Sequence, residues 1–233
     1  MFDKNFNLIC GHYGCGKTNL AVNAALNKAK EGKKVILVDL DLVNPYFRSS
    51  DYAEMLKGYD VKVIAPVYAH SNVDIPSLPA DINGIFDTDA CVILDIGGDD
   101  VGATVLGRFT SRIAELDYEM YYVINKYRNL TATADDAVEV LREIEGVSRL
   151  KATAIINNSH LKDETTPEVI LDSVGFAAEV SEKTGLPVVA FTAASEFEGE
   201  TARGLSLKWA AETQKPIPEV YPVEVYVKTS WEG

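Results

Sequence analysis

The chain has 233 residues, 47% of them apolar, and its 35 acidic against 22 basic side chains leave a formal net charge of −13. That length suits one α/β domain with a core of its own, and the acidic balance argues against a general nucleic-acid or anionic-membrane surface, since those recruit Lys and Arg. No run approaches the ~20 apolar residues of a spanning helix, and the opening MFDKNFNLIC has no signal-peptide organisation, so a cytoplasmic protein without a membrane span is the expectation.

The first element is an apolar strand, Phe6–Cys10, and it runs into Gly11-His12-Tyr13-Gly14-Cys15-Gly16-Lys17-Thr18, a complete G-x-x-x-x-G-K-[ST] phosphate loop. A helix over 17–31 follows. Strand, glycine-rich turn and helix N-terminus aim backbone N–H groups and the positive end of a helix dipole at one point, which suits phosphate. In this reading residues 11 to 18, with Asn19 beside them, cradle a nucleotide. Lys17 reaches the β- and γ-phosphates and Thr18 offers a hydroxyl to Mg²⁺. Cys15 has two readings: a thiolate favoured by the helix N-terminus and Lys17, or a small side chain tolerated in a tight loop, which is preferred. Cys10 and Cys91 lie in apolar runs and read as buried thiols, and the three cysteines make no metal-ligand spacing.

Apolar, strand-like runs then alternate with helical ones to the end of the chain. Strands are expected at 34–39, 61–65, 90–95, 119–125, 151–157 and 186–190, and helices at 49–57, 103–116, 131–144, 166–184 and 198–213. Continuous apolar strands between helices predict a doubly wound α/β fold, a mostly parallel sheet of seven or eight strands covered on both faces. Residues 67–80 carry Pro76 and Pro79 and read as an ordered surface loop, and the Pro- and aromatic-rich 216–233 as an edge strand or arm attached to the domain 1–215.

The second strand ends Val38-Asp39-Leu40-Asp41, and the i, i+2 spacing places both acids on one side of an extended backbone. The fourth, Cys91-Val92-Ile93-Leu94-Asp95, ends in an acid followed by Ile96-Gly97-Gly98. In open α/β sheets ligands bind beyond such carboxyl ends. Asp95 then holds Mg²⁺, Asp39 lies near the metal, Asp41 orients the attacking water, and Gly97 and Gly98 sense the γ-phosphate. The competing reading makes Asp39 and Asp41 two solvated acids capping a turn.

These motifs, in this order and spacing, resemble the MinD/ParA/CobQ–CobB class of P-loop ATPases over roughly residues 6 to 190. The resemblance implies a P-loop NTPase fold, an ATPase with ATP and Mg²⁺ as ligands, Asp95 as the Walker B acid and Asp41 as the switch residue. It also implies an asparagine after a later strand that reads adenine, here Asn157 or its neighbour Asn158. An amide can both donate to and accept from a base edge.

One position departs from the class. A lysine after the first loop glycine, which contacts the partner subunit's phosphates in members with the deviant loop, is here His12. Either the nucleotide-sandwich homodimer does not form, or its cationic role falls elsewhere, with Arg48, Arg108, Arg112 and Arg128 as candidates. Asn125-Lys126-Tyr127-Arg128 begins like the guanine signature N-K-x-D. Its fourth residue has only donors where guanine's N1 and N2 groups require an acceptor, which favours ATP over GTP.

The leading expectation is a Mg²⁺-dependent ATPase that switches an unknown protein partner. An ATP-dependent ligase or synthetase of the CobQ/CobB or dethiobiotin-synthetase type, acting on a small molecule, is the alternative. A metallochaperone-like NTPase is the third reading.

Overall fold

The computed structural model describes residues 1–41, 52–66, 80–97, 104 and 106–226. Eight strands form one sheet: β1 (Phe6–Cys10), β2 (Val35–Asp39), β3 (Val61–Ile64), β4 (Cys91–Asp95), β5 (Tyr118–Ile124), β6 (Ala154–Asn157), β7 (Val188–Ala194) and β8 (Glu219–Val223). Their spatial order is β3-β2-β4-β1-β5-β6-β7-β8, and every neighbouring pair is parallel. The helices among the described residues are α1 (Lys17–Lys30), α2 (Ala53–Lys57), α3 (Thr110–Ile113), α4 (Ala134–Ser148), α5 (Pro167–Asp172), α6 (Val174–Thr184) and α7 (Glu198–Glu212). The expected fold class holds, with eight strands.

The period-two alternation of β1 divides its side chains between two cores. Phe6, Leu8 and Cys10 join one cluster with Phe191 and Trp209, while Ile9 joins the other with Leu20, Ala21 and Ala24 of α1. A strand apolar on both faces must be covered on both, so β1 is driven to the middle of the sheet, between β4 and β5. The chain leaves β1 for one half of the sheet and returns to the other, which makes the carboxyl end of β1 a topological switch point.

Two helices depart from the sequence pattern. The helix expected over 166–184 starts as its chemistry predicts, with the Thr166 hydroxyl accepting from the Val169 N–H and Pro167 in the first turn, but it breaks at Ser173. There the Ser173 hydroxyl donates to the Ile170 carbonyl, three residues back, and accepts from the Asn157 amide. The helix expected over 103–116 turns at residues 108 and 109 before α3 resumes at Thr110, and Arg149 donates to the Gly107 carbonyl beside that turn at 2.8 Å. Parts of this expected helix and of 49–57 lie outside the described residues, as do Gly98, Arg48, His70 and the loop 67–79. Of the arm 216–233, residues to 226 are described, and they add β8 to the edge of the sheet beside β7. Pro222 sits within β8, on an edge strand where its missing N–H leaves a central ladder intact.

Beyond β8 the chain turns onto α1. Asn19, Asn23 and Asn27 are spaced i, i+4 and i+8 on one helical face. Asn23 donates to the Glu224 carbonyl and accepts from the Glu224 N–H, both at 2.8 Å, while Asn19 takes the Tyr226 N–H at 2.9 Å and Asn27 donates to the Tyr221 hydroxyl. This ladder pins the C-terminal segment to the helix that carries the phosphate loop.

Candidate nucleotide-binding site

The loop from Gly11 to Thr18 lies between the carboxyl end of β1 and the N-terminus of α1, where the sequence places it. Its path requires glycine: φ is +148° at Gly11, +75° at Gly14 and +88° at Gly16, a region that L side chains rarely adopt. Lys17 folds back so that its ammonium donates to the His12 carbonyl at 3.0 Å, and only 7% of its surface is exposed. Thr18 is half-buried beside it, and Tyr13 is exposed at the lip of the loop. The His12 Nδ1 lies 2.8 Å from the Tyr13 carbonyl, and a carbonyl only accepts, so that nitrogen carries a proton.

Three acids meet the loop from the neighbouring strand ends. Asp39 and Asp95 are register partners on β2 and β4, and Ile9 of β1 pairs with Asp95 on its other side. Asp39, Asp41 and Asp95 are all buried, at 0%, 7% and 1% exposure, so the reading of Asp39 and Asp41 as solvated turn caps is set aside. The turn itself is real. Asp39 Oδ1 accepts the Asp41 N–H at 2.9 Å, and that bond curls the chain so that Asp41 meets Gly97, where an added Cβ would lie 3.3 Å from the Asp41 carboxylate. Carboxylates gathered out of water call for cations. Lys17 is one, and a divalent ion is another.

The described residues contain no cluster of three or more His, Cys, Asp or Glu able to hold a metal ion unaided. Mg²⁺ takes one or two protein carboxylates and completes its shell with waters and phosphate oxygens. Thr18, Asp39 and Asp95 have the hard oxygen chemistry such an ion prefers.

The loop leans on β6. The Asn158 amide donates to the Cys15 carbonyl at 2.7 Å and accepts from the Thr192 hydroxyl, and an added Cβ on Gly16 would collide with that amide. Asn158 is thus a strut for the phosphate loop, a role the sequence motifs did not signal. Asn157 is fully buried, donating to the Ser173 hydroxyl and accepting from the Ser159 hydroxyl, both at 2.6 Å. Both amides named for base reading are therefore engaged with protein groups, and Asn157 would have to exchange both bonds to meet a base. Cys15 follows the inert reading: it is fully buried and burial pushes its thiol up, against the opposing pull of Lys17. Burial does the same for Cys10 and Cys91, and all three thiols are free.

The N-K-Y-R turn after β5 packs against the same region. Lys126 is held away from the loop by Asp172, at 2.7 Å, while Asn125 accepts the Tyr127 N–H at 3.0 Å and shapes the turn. His160, after β6, sits near Gly16, and enclosure together with the Arg128 and Lys162 charges lowers its pKa to about 4. An unfolded histidine titrates near 6.5, so between the two values the unfolded chain holds more protons and stability rises with pH. Acidification from pH 6.5 to 4 is expected to cost about 2 kcal/mol through this residue, after allowance for its partial exposure. Urea titrations across that range check it, and His160→Gln should flatten this part of the profile.

A groove of about 330 Å³ lined by Lys4, Phe6, Phe86 and Asp117 lies at the other end of the strands, away from these groups. No described helix is long and apolar enough to cross a membrane.

No family model matches the chain, and no curated protein matches it. Solved structures do. The cell division protein FtsY of Thermotoga maritima is similar at 18% identity and a TM-score of 0.50, over 80% of this chain and 61% of that one. The signal recognition particle receptor FtsY of Elizabethkingia anophelis, in complex with GDP, has 18% identity and a TM-score of 0.49, over 80% and 56%. The signal recognition particle 54 kDa protein of Aeropyrum pernix, in complex with GDP, has 20% identity and a TM-score of 0.49, over 78% and 40%. The chain thus spans at most 61% of the length of these three. Likeness at this identity concerns the fold, and the fold is that of a P-loop NTPase: an eight-stranded parallel sheet flanked by helices.

Proposed function

We propose that this chain is a Mg²⁺-dependent nucleoside triphosphatase, of the MinD/ParA/CobQ–CobB kind, whose nucleotide state switches its hold on a protein partner. The single observation that carries the reading is the meeting of a glycine-shaped loop, its buried Lys17, and the buried Asp39, Asp41 and Asp95 at the carboxyl end of β1. An anion receptor and a group of carboxylates side by side suit a metal–triphosphate complex, which brings both charges.

Thr18 and Asp95, with Asp39 behind them, are the residues that would hold the ion. Mg²⁺ in such a site neutralises charge on the β- and γ-phosphates. Backbone N–H groups from Gly11 to Thr18, with that of Asn19, cradle the phosphates, and the Lys17 ammonium exchanges its bond to the His12 carbonyl for a phosphate oxygen. Asp41 accepts a hydrogen bond from the attacking water and aligns it. Gly97 lies against Asp41, so a change at the water is felt where the chain leaves β4. Gly98, outside the described residues, continues that segment.

ATP is the preferred substrate, on the donor–acceptor argument: Arg128 stands where a guanine signature needs an acid. GTP is the second reading, prompted by the GDP in two of the compared structures. Asn157 and Asn158 remain the proposed base readers, with Asn158 also bracing the loop. The ligase and metallochaperone readings remain alternatives, and among the described residues none is assigned to them. The partner, the homodimer and the cytoplasmic setting belong to this proposal.

Calorimetric titration of the purified protein with ATP and with GTP, each with and without Mg²⁺, tests it alongside phosphate release. Saturable, Mg²⁺-strengthened binding of one purine triphosphate is expected, and no uptake of either overturns it. Asp41→Ala should bind within about threefold of wild type and slow turnover by roughly a hundredfold, the scale of removing a general acid–base group. If binding collapses as well, Asp41 holds the ligand rather than the water.

A further inference from the structure

The N-K-Y-R turn is not an idle connection. Side chains and backbone hold it in shape: Asn125 takes the Tyr127 N–H on its side chain, the Thr131 hydroxyl donates to the Asn125 carbonyl, and the Thr131 N–H donates to the Arg128 carbonyl. The turn is tied to the next loop as well, since the Lys126 N–H donates to the Ser159 hydroxyl at 2.9 Å. So fixed, the turn lays Arg128 along the phosphate loop. An added Cβ on Gly14 would lie 3.7 Å from the Arg128 Nε and 3.9 Å from its Cδ. That Nε is buried and has no hydrogen-bond partner among the described residues, an arrangement that costs free energy unless something else accepts from it.

Of the other arginines named as candidates, the two described are placed differently. Arg112 pairs with Asp87 at 3.3 Å and stacks on Phe86, a lining residue of the groove at the opposite end of the strands, and Arg108 is exposed at the turn before α3. Arg48 lies outside the described residues.

We propose that the Arg128 guanidinium contacts the phosphate chain of the nucleotide bound to its own subunit, as a second cation beside Lys17. The proposal rests on the reading of the site as a triphosphate receptor, and it removes the need for a charge at position 12 or from a partner. An arginine suits the place because its charge is permanent and its fork of donors matches phosphate oxygens. Its Nε, without an acceptor among the described residues, then has one. The distance from Gly14 keeps the contact within one side chain's reach of the loop, where a cation acts through a medium less polar than water.

The test compares MgATP and MgGTP affinities of the wild type, Arg128→Gln and Arg128→Lys, at low and at high salt. For whichever nucleotide the wild type binds, Arg128→Gln should weaken binding about tenfold or more, with a smaller loss in high salt. Arg128→Lys should recover at least half of the lost binding free energy. A thermal melt without nucleotide that stays within a few degrees of wild type shows that the fold survives in each variant. Wild-type affinity in Arg128→Gln overturns the proposal, and so does an equal loss in both variants, which would mark a packing role. Mixing Arg128→Gln with Lys17→Ala chains separates one subunit from two: recovered turnover in the mixture overturns the assignment to its own subunit. A wild type that binds no nucleotide would instead sink the reading of the site itself, so the two failures are distinct.

Discussion

Lys17→Ala is expected to lose at least a hundredfold in affinity for the magnesium–triphosphate complex while keeping its fold. The ammonium is almost fully buried at the N-terminus of α1, donating to a carbonyl of its own loop, and Asp39, Asp41 and Asp95 are buried at the neighbouring strand ends. A unit charge about 4 Å from a phosphate oxygen is worth about 4 kcal/mol at an effective dielectric constant of about 20. That is nearly a thousandfold in affinity, and even with half of it lost to solvation the effect exceeds a factor of twenty. The nearby acids deepen the loss, because without Lys17 their repulsion of the γ-phosphate is opposed by fewer positive groups. Alanine favours a helix, so α1 should persist and the apoprotein should melt near the wild-type temperature. Calorimetry of the folded variant is the check. Binding within threefold of wild type would remove Lys17 from the site and leave the loop as a structural turn.

Much of this site was legible because its constraints are local. Buried parallel strands read as continuous apolar runs, and the loop's glycines stand at fixed offsets from Lys17 and Thr18. β1, α1, β2 and β4 fall within a residue of their expected bounds for that reason. What escaped depends on contacts far apart in the chain. Nothing near Ser173 announces a helix break, which comes from a hydroxyl shared between Ile170 and Asn157. Asn157 matches a base-reading position by its place after β6, yet the fold buries its amide between two serines. The role of Asn158 as a strut joins residues 143 apart in the chain. The asparagine ladder on α1 did leave a trace: three amides at four-residue spacing in a helix otherwise rich in Ala and Leu. Asparagine is a poor choice inside a helix unless its side chain has a partner, and here that partner is the C-terminal segment.

That ladder also bears on how the site works. Asn19 follows Thr18 directly, and the Ser195 hydroxyl after β7 donates to the Glu224 carboxylate at 2.6 Å. The segment around Glu224 therefore joins the first turn of α1 to the loop beyond β7, while Asn158 and Thr192 join the phosphate loop to β6 and β7. Polar side chains thus tie the phosphate loop and the first turn of α1 to the β6–β8 side of the sheet. The geometry of the loop is then sensitive to single hydrogen bonds. The acid cluster on the β2–β4 side, by contrast, is fixed by strand register.

Gly11→Ala should remove about 4 kcal/mol or more of stability, or prevent folding altogether. At Gly11 the chain leaves β1 close against β5, and an added Cβ would overlap the Val123 carbonyl oxygen and lie 3.0 Å from the Cys15 sulfur. The carbonyl belongs to a central strand and the sulfur to a buried side chain, so neither can swing aside. The backbone adds to the conflict, since φ of +148° is a conformation that alanine resists. Relief requires β1 to separate from β5, or the loop to lift from its seat and lose the inward aim of its N–H groups. Both outcomes abolish phosphate binding. Gly146→Ala is the matched comparison. Gly146 lies inside α4 without a positive φ, and nothing stands within 4 Å of an added Cβ, so the same chemical change should stabilise the protein by up to about 1 kcal/mol through helix propensity. Urea midpoints of the two variants should therefore move in opposite directions. A Gly11→Ala protein that matches wild type in stability and nucleotide affinity would show that the loop is free to take another path, and the close approach of Gly11 to β5 would then have no part in shaping the phosphate site.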